Sequence, residues 1–180
     1  MLDNLQSGEY KLQRRSLLQV KTKDNLFGEN NFALNELTVH KKDTSSMMTI
    51  KTFIDGECLN SYWSDGLIIS TPTGSTAYSL SCGGPIVLPG SKNFIVNPIA
   101  PHNLTARPVV VPDDVEIKLK VEGREPEFLA TLDSRTISIS NSSELLITKA
   151  PFYINLVQFN QQNFLNTLRK KMHWGSDIRN

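Results

Sequence analysis

Residues able to do chemistry crowd into one stretch of this chain, DGLIISTPTGSTAYSLSCGGPI over 65–86. The hydroxyls of Ser70, Thr71, Thr73, Ser75 and Thr76 fall where a short apolar strand, 67–69, runs into a short helix that Gly83 and Gly84 stop. The first amides of a helix have no internal partner and can bind a polar group. Hydroxyls at such a junction serve either a ligand or the cap of the helix itself, and the pattern alone fits both equally. Two chemistries are excluded. A phosphate-cradling P-loop ends in Gly-Lys-Ser/Thr, and no lysine occurs between Lys51 and Lys92. A nucleophile elbow reads Gly-x-Ser-x-Gly, whereas Gly74-Ser75-Thr76-Ala77-Tyr78 lacks the second glycine and the spacing.

The elements that must position this stretch follow from periodicity and turn chemistry. A helix tail over 1–8, ended by Ser7-Gly8, precedes a strand over 10–20 with an irregularity near Arg14-Arg15 and then a surface loop over 21–31. Phe32 and Leu34 alternate on one phase, and Leu37 and Val39 on the other. The side-chain register therefore shifts by one at Asn35-Glu36, and a bulge there would re-aim two polar side chains. The residues by themselves favour an edge strand that shows Asn35 and Glu36 to water.

Met48, Ile50, Thr52 and Ile54 share a face, and Asp55-Gly56 turns the chain into a hairpin. A second pair, Asp65-Gly66, is expected to continue the same antiparallel meander, with Asp65 explained as a turn former. On the short helix that follows, an aromatic at Tyr78 reads more simply as core than as a stacking platform. Proline and glycine punctuate 83–111, predicting irregular strands and ordered loops in which His102 is an isolated histidine and Arg107 a structural tie. Strands follow at about 115–121, 128–132, 136–140, 144–148 and 153–157, with a turn at Asp133-Ser134-Arg135 that reads as a turn at least as readily as a ligand contact. A basic amphipathic helix over 163–173 closes the order, and His173 and Trp174 have no metal-ligand partners at a suggestive spacing. The expected fold is mainly β, a sandwich-like antiparallel domain in which residues 1–180 form a single unit.

Composition narrows the function classes. Basic residues number 19 and acidic 18, and a net charge of +1 offers no electrostatic case for nucleic acid or an anionic membrane. No apolar run approaches the ~18 residues of a membrane-spanning helix. Cys58 and Cys82 are too few for a disulfide framework and sit at no zinc-like spacing, and no secretory leader is evident at the start, so a reduced cytoplasmic protein is expected.

The run over 65–86 closely resembles the signature of the NAD kinase family, including ATP-NAD and polyphosphate/ATP-NAD kinases, which phosphorylate the 2′-hydroxyl of the adenosine ribose of NAD. Two flanking segments match in order: Asn35-Glu36 within FALNELTVHK resembles the family's ribose-binding pair, and PHNLTARPVVVP over 101–112 resembles the stretch after the signature. The resemblance, spanning about residues 10–180, implies that Asn35 and Glu36 grip the adenosine ribose. It implies that Thr73, Thr76, Ala77, Tyr78 and Ser81 line the NAD pocket, with the tyrosine ring against the ligand. It places Asp65, Ala100 and His102 near the nicotinamide end of NAD held by a neighbouring subunit, which carries with it self-association as a homodimer or homotetramer. Cys82 stands where the family commonly has alanine.

One family feature is missing. NAD kinases carry Gly-Gly-Asp-Gly in an N-terminal α/β domain, where the aspartate is the proposed base and the loop places ATP with its divalent metal (Mg). No Gly-Gly-Asp occurs here, so the chain resembles the C-terminal domain of such an enzyme, with no catalytic or metal-binding residue of its own. Negligible kinase activity is expected of it alone. Two other classes stay open: a β domain serving only oligomer formation, and the related lipid and diacylglycerol kinases, which the near-neutral charge and the Asn35-Glu36 pair disfavour.

Overall fold

The computed structural model describes residues 2–42, 47–159 and 163–173. A short helix α1 (Leu2–Gln6) leads into β1 (Tyr10–Thr22), β2 (Phe32–Ala33), β3 (Glu36–Lys41), β4 (Met48–Ile54), β5 (Glu57–Ser64) and β6 (Gly66–Ser70). After a 3-10 turn (Gly74–Thr76) come α2 (Tyr78–Ser81), β7 (Asn93–Ile99), β8 (Val109–Pro112), β9 (Ile117–Gly123), β10 (Glu127–Leu132), β11 (Arg135–Ser140), β12 (Glu144–Phe159) and α3 (Phe164–Met172). The strands build two six-stranded antiparallel sheets, ordered β2-β1-β12-β9-β4-β5 and β11-β10-β3-β6-β7-β8.

Alternation explains why the sheets face each other. Met48, Ile50, Ile117, Leu119, Val121, Leu145 and Ile147 point inward from the first sheet, and Leu37, Val39, Leu67, Ile69, Phe94, Val96 and Phe128 from the second, forming one buried cluster. The expected mainly-β sandwich with a short helix after the Gly/Thr-rich loop is the observed architecture. Asp55, at φ +49°, and Gly56 turn β4 into β5 as expected.

Several local expectations are corrected. The parity change at Asn35-Glu36 is no bulge in an edge strand: the chain leaves the first sheet after β2 and joins the centre of the second as β3, between β10 and β6. Asp65-Gly66 is no hairpin turn either. β5 and β6 lie in different sheets, and β6 takes β3 and β7 as neighbours. Gly66 is needed there because a Cβ would stand 2.5 Å from the Val39 carbonyl oxygen. The irregularity in β1 falls at Ser16/Leu18, opposite 150–152 of β12, where Pro151 cannot donate a ladder bond. The two strands expected at 144–148 and 153–157 are one long strand, β12. The C-terminal helix starts as expected, with the Asn163 side chain accepting from the Leu165 amide at 2.9 Å, and His173 ends it at φ +53°. Trp174 lies outside the described residues.

Ile68 and Ile95 are fully buried, yet they belong to the other face of the second sheet. They sit beside Ser70 and Asn97 under the segment 71–88, which folds over that face. Tyr78, 46% exposed, stands at the margin of this cover, beside an open cleft on the sheet face.

Candidate functional site

At that opening, Thr38, His40, Lys41, Asp65, Tyr78, Ile99 and Thr131 line a cleft of about 310 Å³. Its floor follows from strand alternation: Thr38 and His40 project on one face of β3, with Glu36 next in the same row, and Thr131 pairs with Thr38 from β10. Asp65 enters at the crossing between sheets. Its amide donates to the Ile99 carbonyl at 3.0 Å, its carbonyl accepts from the Lys41 amide at 3.1 Å, and its carboxylate pairs with the Lys41 ammonium at 2.6 Å.

The hydroxyls of the signature divide by direction. Ser70, Thr71, Ser75 and Ser79 are fully buried and spent inside the protein. Thr71 donates to the Leu34 carbonyl at 2.6 Å and accepts from the Gly74 amide at 3.2 Å. Ser75 donates to the Pro72 carbonyl at 2.7 Å and accepts from the Val87 amide at 3.1 Å. Ser79 accepts from the Asn97 side-chain amide at 3.2 Å. Thr73, Thr76, Ala77, Tyr78 and Ser81 face outward, half-buried or exposed. The helix is closed by left-handed Gly83, with its amide donating to the Leu80 carbonyl at 3.0 Å and the Gly84 amide to that of Ser79 at 2.9 Å.

Tyr78 is 46% exposed, which corrects the reading of this ring as core. Burial, helped by Cys82 and Asp65, raises its hydroxyl above its ordinary value, and burial also raises the Cys82 thiol, as suits an unreactive one.

Asn35 and Glu36 lie directly behind this loop. Asn35 is half-buried, and its carbonyl accepts from the Thr71 amide at 2.9 Å. Glu36 is 9% exposed, and its Oε2 is buried without a hydrogen-bond partner. Desolvation, then the charge of Asp133, push its carboxyl up to about 7, against the opposing pull of the Tyr78 backbone amide. Glu36 thus meets the backbone of Tyr78, whose ring lines the cleft with Asp65, while Asn35 holds the loop through its own carbonyl. Ala100 follows Ile99 at the edge of the cleft, at φ +43°, and His102 stands further out, its ring 5.0 Å from that of Trp63 and its amide donating to the Trp63 carbonyl. Arg107 is the expected tie, donating to the carbonyls of Leu104 and Ala106.

Thr38, His40, Lys41 and Thr131 were not singled out from sequence. The first two had a signal, since they continue the row that Glu36 begins. The turn residue Asp133 also gains a larger part: its carboxylate accepts from the amides of Leu34, Asn35 and Glu36 at 2.9, 2.8 and 3.2 Å. Among the described residues, no three His, Cys, Asp or Glu converge to hold a metal ion, and no helix is long and apolar enough to cross a membrane. The site is a polar, partly apolar groove with one aromatic wall.

Known proteins resemble this chain over most of its length. The family model described as the ATP-NAD kinase C-terminal domain matches residues 34–159. The NAD kinase of Cytophaga hutchinsonii is 52% identical over 179 residues, 99% of this chain and 61% of that protein. That of Flavobacterium psychrophilum is 55% identical over 174 residues, 96% of this chain and 59% of that protein. The chain spans about three fifths of the length of these curated relatives. Among solved structures, yeast NADH kinase complexed with NADH superposes with a TM-score of 0.88 at 26% identity, over 99% of this chain and 53% of the other. An NAD kinase from Archaeoglobus fulgidus in complex with ATP gives 0.74 at 26% identity, over 96% and 64%.

Proposed function

This chain belongs to the ATP-NAD kinase family through its C-terminal domain, and on that premise we propose that it is the dinucleotide-holding part of an enzyme that makes NADP from NAD. The observation that supports this reading is that Asp65 and Tyr78 line one cleft while Asn35 and Glu36 lie against the loop that carries Tyr78. Asn35 and Glu36 take the adenosine ribose, and Thr73, Thr76, Ala77 and Ser81 seat the base on the outward side of the loop. Tyr78 lays its exposed ring against the ligand, where an aromatic face contributes without a polar penalty. Asp65, with Ala100 and His102, serves the nicotinamide end across a contact between copies of the chain.

In phosphoryl transfer, positioning and electrostatics supply most of the catalysis. The share of these residues is positioning: they hold one ribose hydroxyl at a fixed place. ATP and its divalent metal fall to the part of the family's enzymes that this chain does not span, the chain covering about three fifths of its curated relatives. The isolated chain is accordingly without appreciable kinase activity. Its free cysteines, Cys58 and Cys82, agree with a reducing, cytoplasmic setting.

A second reading has an observation of its own. Tyr10 and Leu12 of β1 and Tyr153, Leu156 and Val157 of β12 are exposed along one paired arm, which favours an assembly role for that arm. Calorimetric titration of NAD separates the readings, run on the chain and its Asn35→Ala and Tyr78→Ala variants with oligomeric mass measured on the same samples. Binding that weakens in both variants is expected. A folded, oligomeric chain that binds no NAD would leave assembly as its role.

A further inference from the structure

The β10–β11 turn lies outside the site as proposed, yet it grips the segment that carries Asn35 and Glu36. Where the chain passes from one sheet to the other, residues 34 and 35 belong to no strand, so their amides have no ladder partner. Asp133 supplies one: a single carboxylate accepts from the amides of Leu34, Asn35 and Glu36, and the Asp133 amide donates back to the Glu36 carbonyl at 3.0 Å. Arg135, across the same turn, donates to the Phe32 carbonyl and lies over the Phe32 ring at 5.4 Å. The opposite side of the segment is held by Thr71 on the Leu34 and Asn35 carbonyls. The crossing is thus clamped between the signature loop and a turn remote from it in sequence.

Bonds to an ionised acceptor are shorter and stronger than neutral ones, and here one carboxylate takes three. Side chains that must meet a ligand gain most from a backbone that cannot drift, because small misplacements cost much of the orientation they provide. We propose that Asp133 is a positioning residue for dinucleotide binding: its carboxylate fixes the backbone of 34–36 and thereby sets where Asn35 and Glu36 meet the ribose, without touching the ligand. This rests on the assignment of Asn35 and Glu36 to the ribose.

The test is calorimetric titration of NAD into the full chain and its Asp133→Asn, Asp133→Gly and Tyr78→Ala variants, with urea unfolding and amide hydrogen exchange on the same proteins. Asp133 sits at φ +52°, a conformation that both asparagine and glycine adopt, so neither variant strains the turn. The expected result is a graded loss. Asp133→Gly weakens NAD at least about tenfold, Asp133→Asn recovers part of it through its remaining carbonyl oxygen, and exchange quickens at 34–36 but not in β4 or β9. A lower urea midpoint with unchanged affinity of the folded protein would mean a structural role only and overturns the proposal. So does parent-like affinity in Asp133→Asn should the glycine variant not fold. A parent that binds no NAD removes the ribose assignment itself, whereas a parent weakened by Tyr78→Ala but not by the Asp133 variants removes only the positioning role.

Discussion

Gly74 lies against Asn35 so closely that a Cβ on it would stand 2.2 Å from the Asn35 carbonyl oxygen and 2.6 Å from the Ser70 hydroxyl. Gly74 is not among the left-handed residues, so space rather than backbone conformation demands glycine here. Gly74→Ala must lift the signature loop off the crossing segment. The expected cost is about 1–3 kcal/mol, the usual range for overpacking a closed site, with a loss of NAD affinity beyond what partial unfolding explains. Urea unfolding and titration on the same variant check it; unchanged affinity would show that the loop and the Asn35-Glu36 pair do not act together.

The buried and outward hydroxyls of the signature should separate in experiment. Ser75→Ala deletes a fully buried group that both donates to the Pro72 carbonyl and accepts from the half-buried Val87 amide, leaving that amide without its acceptor at a cost of about 1–3 kcal/mol. Thr76 is exposed and reaches the Thr73 carbonyl at 3.4 Å, so Thr76→Ala is expected within about 0.5 kcal/mol of the parent while weakening NAD. Thermal unfolding paired with titration reads both effects.

This division was not legible in the sequence, where five hydroxyls look alike; it depends on the loop folding over Ile68 and Ile95. The two Asp-Gly pairs teach the same lesson. Asp55-Gly56 was legible because a two-residue hairpin is decided by local turn chemistry. Asp65-Gly66 has the same letters and a different outcome, since β3 and β7 occupy both edges of β6 and leave β5 in the other sheet. The parity change between Phe32 and Leu37 was visible, but its cause, a change of sheet, is tertiary. Asp133 was legible as a turn residue, but its hold on 34–36 was not, because the amides it holds are distant along the chain.

Asp65 and Lys41 form an ion pair at the rim of the cleft with side chains 37% and 19% exposed. A pair so placed contributes no more than about 1 kcal/mol, so Asp65→Asn is expected to leave the urea midpoint nearly unchanged. If Asp65 serves the nicotinamide end of a dinucleotide shared between copies, the same variant weakens NAD in the oligomer. A large fall in stability with unaltered binding would instead make the pair purely structural.

Glu36 yields a pH dependence whose sign is fixed by its surroundings. Its ordinary value is 4.5, and desolvation together with Asp133 raises it to about 7. The folded chain therefore holds this proton more tightly than the unfolded chain does. Between those two values the native state carries more protons, and stability falls as pH rises through the window, becoming constant again above it. At 1.36 kcal/mol per pKa unit the full effect is on the order of 3 kcal/mol. Glu36→Gln keeps the shape and has no charge to bury at any pH, so its stability should not share this slope. Urea unfolding of both proteins at about pH 5 and about pH 8 isolates the contribution, because all other titrating groups are common to the two. The variant is expected to gain on the parent by up to about 3 kcal/mol across the interval. Equal slopes in the two proteins would mean that the buried Oε2 is solvated, or that another donor reaches it when the carboxylate ionises.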